Sequence, residues 1–592
     1  MGISWSIWPS VAVSLVAAGT LWVLARAFGR LPWLRKAIEE SAAGASLPER
    51  MRTSLPTIVA VVIAAALIGW RVIAAVGNPE HFAQEYDNVF HLNAVRHALQ
   101  SGDASPNGVV QFSVPGSSAI YPSVWHAFNA LVVQMTDVSI VTASNAVFLT
   151  IACLVWPLSI LVLTRAAFGR SSSLAIAAGV LAAGVATFPL LLITDIGAYP
   201  LVLSISILPV VLACVITLIP GRSEALSRVP AVALLLGVVP GVVASHPSSM
   251  HAMAFLSVPI SVVLAVRWSR RHPRWRVAGF ASLAAYILLV ILFSLVLRPM
   301  FQGNPTLGSV PESIVGAATL GMAELPAAPV VALLSIVGVF AAIRTRDPRE
   351  LSMVGMWAVA LGLYVIAAGG DEFTRSIFTG GWYRDPMRLA ALAAVMVVPL
   401  AARGAGELWR WIRKRLESRR PVILPVVGAV MAIALAISTQ GAAVRTVAEL
   451  TALSFTPTEG AESVRVPLGA DARVLIARIP DVVAEGDVIA GDPRDGSSFT
   501  YALAGRRVLL PHLLTPRSAE ITALLEGLST ATPDDAACIA ARELDVNWVL
   551  LTRDRTLDDL EPGLVGLDDS STVELVDSEG GARLYRITGC GS

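Results

Sequence analysis

The chain has 592 residues, 55% of them hydrophobic and only 15% charged, with a mean hydropathy of +0.68. That balance excludes an ordinary soluble globular protein. A formal net charge of +1 gives no electrostatic footprint for nucleic acid, which is not expected as a partner.

Uninterrupted apolar runs, each near the roughly 20 residues that a bilayer-spanning helix needs, lie at 10–28, 55–76, 141–164, 173–193, 199–219, 229–245, 250–266, 277–297, 327–343, 351–368, 387–402 and 421–440. About twelve transmembrane helices are therefore expected. Met1 to Pro9 carries no basic stretch ahead of the first run, so a cleaved signal peptide is not expected. Basic residues then sort the connections. Arg26, Arg30, Arg35, Lys36, Arg50 and Arg52 follow the first run, Arg165 and Arg170 the third, and Arg222 and Arg228 the fifth. Arg267, Arg270, Arg271, Arg274 and Arg276 follow the seventh, and Arg344, Arg346 and Arg349 the ninth, while seven more lie between Arg403 and Arg420. Every second connection is basic, so the positive-inside rule places these in the cytoplasm and both termini outside. The expected fold class is a polytopic α-helical protein of the plasma membrane, with a transmembrane part over 1–440 and an extracytoplasmic α/β domain over 441–592.

The first long outer loop, 77–140, holds Glu85-Tyr-Asp87-Asn88-Val-Phe90-His91. A helix over Val89–Gln100 would be capped by Asp87 and would gather Asp87, Phe90 and His91 on one side of its first turns. A carboxylate beside an imidazole is general acid–base equipment or part of a cation site. An isolated D-x-x-x-H is more often a cap followed by a surface helix; here the location at a membrane boundary favours function. A second helix is expected over Ser123–Gln134, and both helices are expected to lie at the membrane interface.

The other outer loops add Tyr121, Trp125 and His126, then His246, and then Trp382-Tyr383-Arg384-Asp385-Pro386-Met-Arg388. Arg384 and Arg388, spaced by one helical turn beside Trp382 and Tyr383, would suit a phosphate at headgroup depth. Interfacial aromatics and snorkelling arginines are the plainer explanation, but arginine on the outer side runs against the charge bias. His126 and His246 taken singly are more often hydrogen-bonded interface residues, and Asp371 with Glu372 reads as a solvated loop pair.

In the tail, Ala472–Ala477, Asp487–Ala490, Arg507–Leu510 and Val546–Leu551 read as strands, Ser518–Leu528 and Asp534–Leu544 as helices, and Thr572–Val576 with Arg583–Ile587 as a closing hairpin. Gly491-Asp-Pro-Arg-Asp-Gly496 at a strand end indicates an α/β unit with a turn that needs no further role. Cys153 and Cys214 fall in apolar runs as packing residues, whereas Cys538 and Cys590, in an exported tail, are expected to pair as a disulfide. No nucleotide-binding P-loop, zinc-protease or serine-hydrolase motif is present. No mid-membrane acid and no repeated pair of broken helices is read, although a secondary transporter would be expected to show them.

Many spans, an acidic motif in the first large outer loop, a helix after it and an exported C-terminal domain together resemble the C-type (GT-C) glycosyltransferase superfamily. Tyr86-Asp87-x-x-Phe90-His91, Tyr121-Pro122 and Trp125-His126 are similar to actinobacterial multi-pass membrane proteins of that type. The resemblance implies an inverting enzyme that moves a sugar from a polyprenyl-phosphate donor to a glycan, lipid or protein acceptor of the cell envelope, on the outer face. Asp87 then matches the catalytic loop carboxylate, with Glu85 its acidic neighbour, and Tyr383, Arg384 and Arg388 would hold donor phosphate. A divalent cation (Mg, Mn or Ca) on Glu85, Asp87 or His91 is a further expectation. The acidic loop follows the second apolar run rather than the first, a departure that an extra N-terminal helix would explain. A lipid-linked sugar transporter or flippase, and a non-catalytic assembly scaffold, are the alternatives.

Overall fold

The computed structural model describes residues 4–28, 47–221, 228–296, 303–417, 421–457, 468–552 and 561–591. Arg30, Arg35, Lys36 and Arg222 of the basic connections, with Arg419 and Arg420, lie outside the described residues. Among those described, eight helices are long and apolar enough to cross a membrane: Ser54–Val76, Ile140–Phe168, Tyr199–Leu218, Arg228–Ser245, Ser248–Arg271, Pro273–Val296, Pro348–Gly369 and Pro386–Glu417. Shorter apolar helices fill the other runs at Ile7–Thr20, Ser172–Ala183 and Pro329–Thr345, and Leu424–Thr439 joins Ala442–Phe455 across a 52° bend. The chain is a multi-pass helical membrane protein with a small C-terminal sheet.

The helix Pro386–Glu417 runs through the centre of this bundle, buried along its length from Leu389 to Ala402. It packs most extensively on Pro329–Thr345. Small residues allow this: a Cβ at Gly338 would collide with the Leu400 carbonyl, and one at Gly404 with that of Leu334. Close backbone approach of this kind lets helices gain dispersion where lipid supplies no hydrophobic drive. The run after residue 402, expected as a connection, continues the helix instead. Arg403 lies on it and pairs with Glu350 (3.1 Å) and Glu407 (2.9 Å), so its charge is neutralised locally.

One run is broken and another ends in a bend. The expected single span 173–193 is a helix to Ala183, an irregular turn, and a second helix Leu190–Ile196. At Gly184 the backbone passes so near Thr439 that an added Cβ would lie 2.6 Å from the Thr439 Cβ. The carbonyls freed at the break are met by side chains, as a low-dielectric setting requires. Arg71 donates to Ala183 O (2.6 Å) and Trp156 Nε1 to Ala182 O (3.1 Å). The 52° bend follows Thr439, and Thr194 hydrogen-bonds Thr451 at 2.7 Å, joining the helices that come after the break and the bend. A broken helix and a bent pair are thus present where single spans were expected.

The C-terminal unit is a five-stranded sheet of order β2-β1-β3-β5-β4, with β1 Val488–Ala490, β2 Arg507–Val508, β3 Val546–Leu551, β4 Val573–Glu579 and β5 Ala582–Ile587. The first three strands are parallel and the last two form the expected hairpin, whose β5 pairs antiparallel to β3. The expected strand 472–477 is instead part of a helix, Ala470–Val482. Its buried residues Ala472, Leu475, Ile476 and Ile479 recur at helical spacing, and that face packs on β4 and β5. Cys538 and Cys590 form a disulfide with Cα atoms 4.8 Å apart.

Candidate functional site

The helix Tyr86–Ser101 begins after Glu85, which is extended (φ −125°, ψ 151°), and ends on Gly102 in the left-handed region (φ 68°). Glu85, not Asp87, occupies the cap position, and its side chain makes no capping bond. Asp87 lies in the first turn, where the helix dipole favours an acid. The helix is not a surface element. Asn88, Val89, His91, Leu92, Asn93, Ala94, Val95 and Ala98 are buried, because bundle helices cover one side and the C-terminal unit another.

Arg388 comes to this helix from the start of the central span. Its guanidinium is 3.9 Å from Asp87 Oδ2, 3.1 Å from Asp385 Oδ2 and 4.6 Å above the Tyr383 ring. Its side chain is 11% exposed against 46% for Asp87, so the cation is sheltered and the carboxylate opens to solvent. Asp385 fixes the geometry twice, since it also caps the helix by accepting the Met387 N–H (2.8 Å).

Arg384 does not share this position. Asp385, immediately before Pro386, is disfavoured from the helical region, and Tyr383 and Arg384 ahead of it adopt left-handed conformations (φ 59° and 56°). The expected helical turn between Arg384 and Arg388 is therefore absent, and Arg384 forms an ion pair with Glu372. Asp371 of the expected solvated pair caps the helix Glu372–Thr379 through the Thr374 N–H (3.0 Å). A residue not singled out from sequence, Arg375, holds the loop: it donates to Ala367 O, Asn304 O, Pro305 O and Arg384 O at 2.9, 2.5, 3.0 and 3.0 Å. Its only sequence signal is an arginine close to Gly380-Gly381.

The histidines form an inner layer. His91 Nδ1 meets His126 Nε2 at 3.0 Å, with Trp125 and Tyr199 beside the His91 ring at 5.7 and 6.4 Å. His246 accepts the Ser248 N–H at Nδ1 (3.2 Å). Burial pushes His91 well below the usual imidazole range, helped by His126, His512, His246 and Arg388. Burial likewise lowers His126 to about 3, and burial with the Arg388 charge lowers His246 to about 3. Neutral imidazoles here pack and hydrogen-bond without competing with Arg388 for an anion. Tyr121 stays a phenol, because burial first and the Asp87 charge second raise it; its ring lies 4.7 Å from Phe90.

The divalent-cation expectation meets a poor donor set. Among the described residues no three His, Cys, Asp or Glu side chains gather as a metal site. Asp87 faces Arg388, and His91 is bonded to His126. Glu85, Asp87 and His91 do not fit a cation, and no step below uses one.

The C-terminal unit closes the far side. In the order β2-β1-β3 the chain crosses β1, and the carboxyl ends of strands at such a crossing commonly bind ligands. Here that edge holds the Tyr86–Ser101 helix instead. Asn93 donates to Ser498 O and Pro511 O, Arg96 to Ala502 O, and Phe82 packs on Phe499 with centroids 4.7 Å apart. The 491–496 turn is internally satisfied. Asp492 accepts the Arg494 N–H, Nε and Nη2, and Asp495 accepts the Ser497 and Thr552 N–H groups.

Fold and site together define a multi-pass membrane protein with a sheltered arginine and an acidic helix start, held between bundle and C-terminal sheet. A model of a family of unknown function, DUF6541, matches residues 1–589, and the chain belongs to that family. No curated protein matches. Among solved structures the chain is similar to ArnT from Cupriavidus metallidurans in the apo state, at 11% identity and TM-score 0.49, covering 89% of this chain and 98% of that one. The same protein bound to undecaprenyl phosphate gives 12% identity and TM-score 0.48 over 90% and 97%. The Archaeoglobus fulgidus oligosaccharyltransferase tethered to an acceptor peptide gives 12% identity and TM-score 0.44 over 85% of this chain and 69% of that one.

Proposed function

We propose that the chain is a membrane glycosyltransferase that moves a sugar from a polyprenyl-phosphate donor to an envelope acceptor. The observation that carries this reading is the pairing of a half-exposed Asp87 with a sheltered Arg388 at 3.9 Å, at one end of the central helix. That distance exceeds a hydrogen bond, so it is a loose pair that a substrate oxygen can join. The basic cluster of the same helix, around Arg413, lies roughly 37 Å away at 1.5 Å per residue. By the positive-inside rule the Asp87 end faces outward, and both termini with it.

In the proposed step the acceptor oxygen attacks the anomeric carbon, and the bond from that carbon to the phosphate oxygen breaks. The acceptor proton passes to Asp87, and the negative charge left on phosphate is met by Arg388. A single direct displacement inverts the anomeric centre. Asp385 and Tyr383 position Arg388.

The test is a reconstituted chain supplied with a panel of polyprenyl-phosphate sugars. Asp87→Asn is expected to abolish transfer while undecaprenyl phosphate still binds; unchanged transfer would remove the enzyme. A transporter is the second reading, favoured by the broken helix and the adjacent bent pair. Movement of donor across the vesicle with no glycosylated product would select it.

A further inference from the structure

One histidine at this site comes from the C-terminal unit. His512 follows β2 on a short loop tied at three points. Pro511 O accepts Asn93 Nδ2 (2.7 Å), Leu510 O accepts Ser498 Oγ (2.6 Å), and Thr515 Oγ1 bonds Ser113 Oγ (3.1 Å). The Thr515 N–H also closes the turn on His512 O (3.0 Å). So mounted, the His512 ring stands nearly perpendicular to Phe90 at 5.5 Å, and Phe90 is the residue between the Asp87 turn and His91.

The tautomer follows from the loop. The Leu514 N–H donates to His512 Nδ1 (3.3 Å), so Nδ1 is an acceptor and the proton resides on Nε2. Among the described residues Nε2–H has no protein hydrogen-bond partner, and the residue as a whole is 9% exposed. The Nε2–H is reached by solvent rather than sealed, so a substrate oxygen can take the place of water there. Burial lowers the ring to about 4, so at neutral pH it is an uncharged donor. A neutral N–H suits a hydroxyl oxygen, whereas a phosphate would be drawn to the fixed charge of Arg388.

We propose that His512 is a substrate-contacting residue of this site, lent by the C-terminal unit, whose Nε2–H hydrogen-bonds a hydroxyl oxygen of the acceptor. The inference rests on the glycosyltransferase reading and adds to it a role for the C-terminal unit in acceptor binding.

The experiment uses the full chain in lipid nanodiscs, with the donor and acceptor for which wild-type transfer is found. H512F keeps the ring against Phe90 and removes the donor, and H512Q places an amide N–H near Nε2. The KM for acceptor is expected to rise about two- to twelvefold in H512F, the range a net hydrogen bond of about 0.5–1.5 kcal/mol gives. The KM for donor should stay unchanged, and H512Q should recover most of the loss. An unaltered acceptor KM in H512F, a rise confined to donor, or equal impairment in H512F and H512Q would each overturn it. If H512F does not fold, H512N replaces it, since its amide reaches only the Nδ1 position. H512N impaired beside an active H512Q supports the contact, and equal activity refutes it. Absence of transfer by the wild-type chain refutes the glycosyltransferase reading itself, whereas wild-type transfer with an unaltered variant refutes only His512.

Discussion

The side-chain amide of Asn93 donates to the carbonyls of Ser498 and Pro511 at once, at 3.0 and 2.7 Å, and so joins the acidic helix to two strand ends of the C-terminal unit. All three groups are buried. Asn93→Leu leaves two carbonyls without donors, and each such loss costs about 1–3 kcal/mol. The expected result is earlier protease cleavage within 468–591 and a lower unfolding temperature, while the bundle stays membrane-inserted. Limited proteolysis of wild type and variant in the same detergent checks it, and identical cleavage rates would show that the bridge does not hold the unit.

The disulfide makes a second prediction about the same unit. Cys538 and Cys590 are 52 residues apart, and closing a loop of that length is worth roughly 4 kcal/mol in the chain-entropy model. Reduction, or Cys538→Ala, is expected to free the end of the chain beyond β5 and release Arg542 from the Cys590 carbonyl to which it donates. Mass spectrometry of native protein after thiol alkylation should find neither residue modified.

The buried histidines set a pH dependence whose sign can be worked out. His91, His126, His246 and His512 are held below the ordinary imidazole value of 6.5, chiefly by burial. Between that value and the folded one the unfolded chain binds more protons, so stability falls as pH drops from about 6.5 towards 3–4. Asp495 works the other way. Burial raises it to about 6, so its contribution is full below the ordinary 3.8 and is lost as pH rises through 6. Four groups outweigh one, and the midpoint temperature should decline on acidification below about 6.5. His246→Gln should flatten that decline; an unchanged slope would show that His246 is not a neutral buried group.

Much of this was legible in the sequence, for reasons of period and punctuation. The apolar runs were long enough to read, and the parallel strands and closing hairpin appeared as short runs bounded by turns. What failed was local. Ala472–Ala477 reads as a strand because Val474-Leu475-Ile476 is a short apolar stretch, and only the extension to Ile479 reveals a helical face. Gly184 reads as one more small residue in a span until the approach of Thr439, 255 positions away, breaks the helix there. His512 is more than 400 residues from Phe90, and its place in the site depends on a docking that no local pattern encodes.

The two arginines once grouped by spacing now make opposite predictions. Arg388 is sheltered, stacked over Tyr383 and oriented by Asp385, with the planar fork facing Asp87. Arg384 pairs with the exposed Glu372, and its backbone carbonyl, not its side chain, is what Arg375 holds. Lysine keeps a charge but has no fork, so Arg388→Lys should lose orientation and at least one charged hydrogen bond, worth about 1.5–3 kcal/mol. That corresponds to a fall in transfer of about one to two orders of magnitude, with Arg388→Ala lower still. Arg384→Lys should stay within about threefold of wild type, since Arg384, itself only 14% exposed, is paired with the solvent-facing Glu372, a partner that lysine can also reach. The measurement is transfer rate against donor concentration at saturating acceptor for all three variants, with chain yield and monodispersity as controls. Equal loss in Arg384→Lys and Arg388→Lys would restore the paired-fork site, and wild-type kinetics in Arg388→Lys would remove Arg388 from the phosphate.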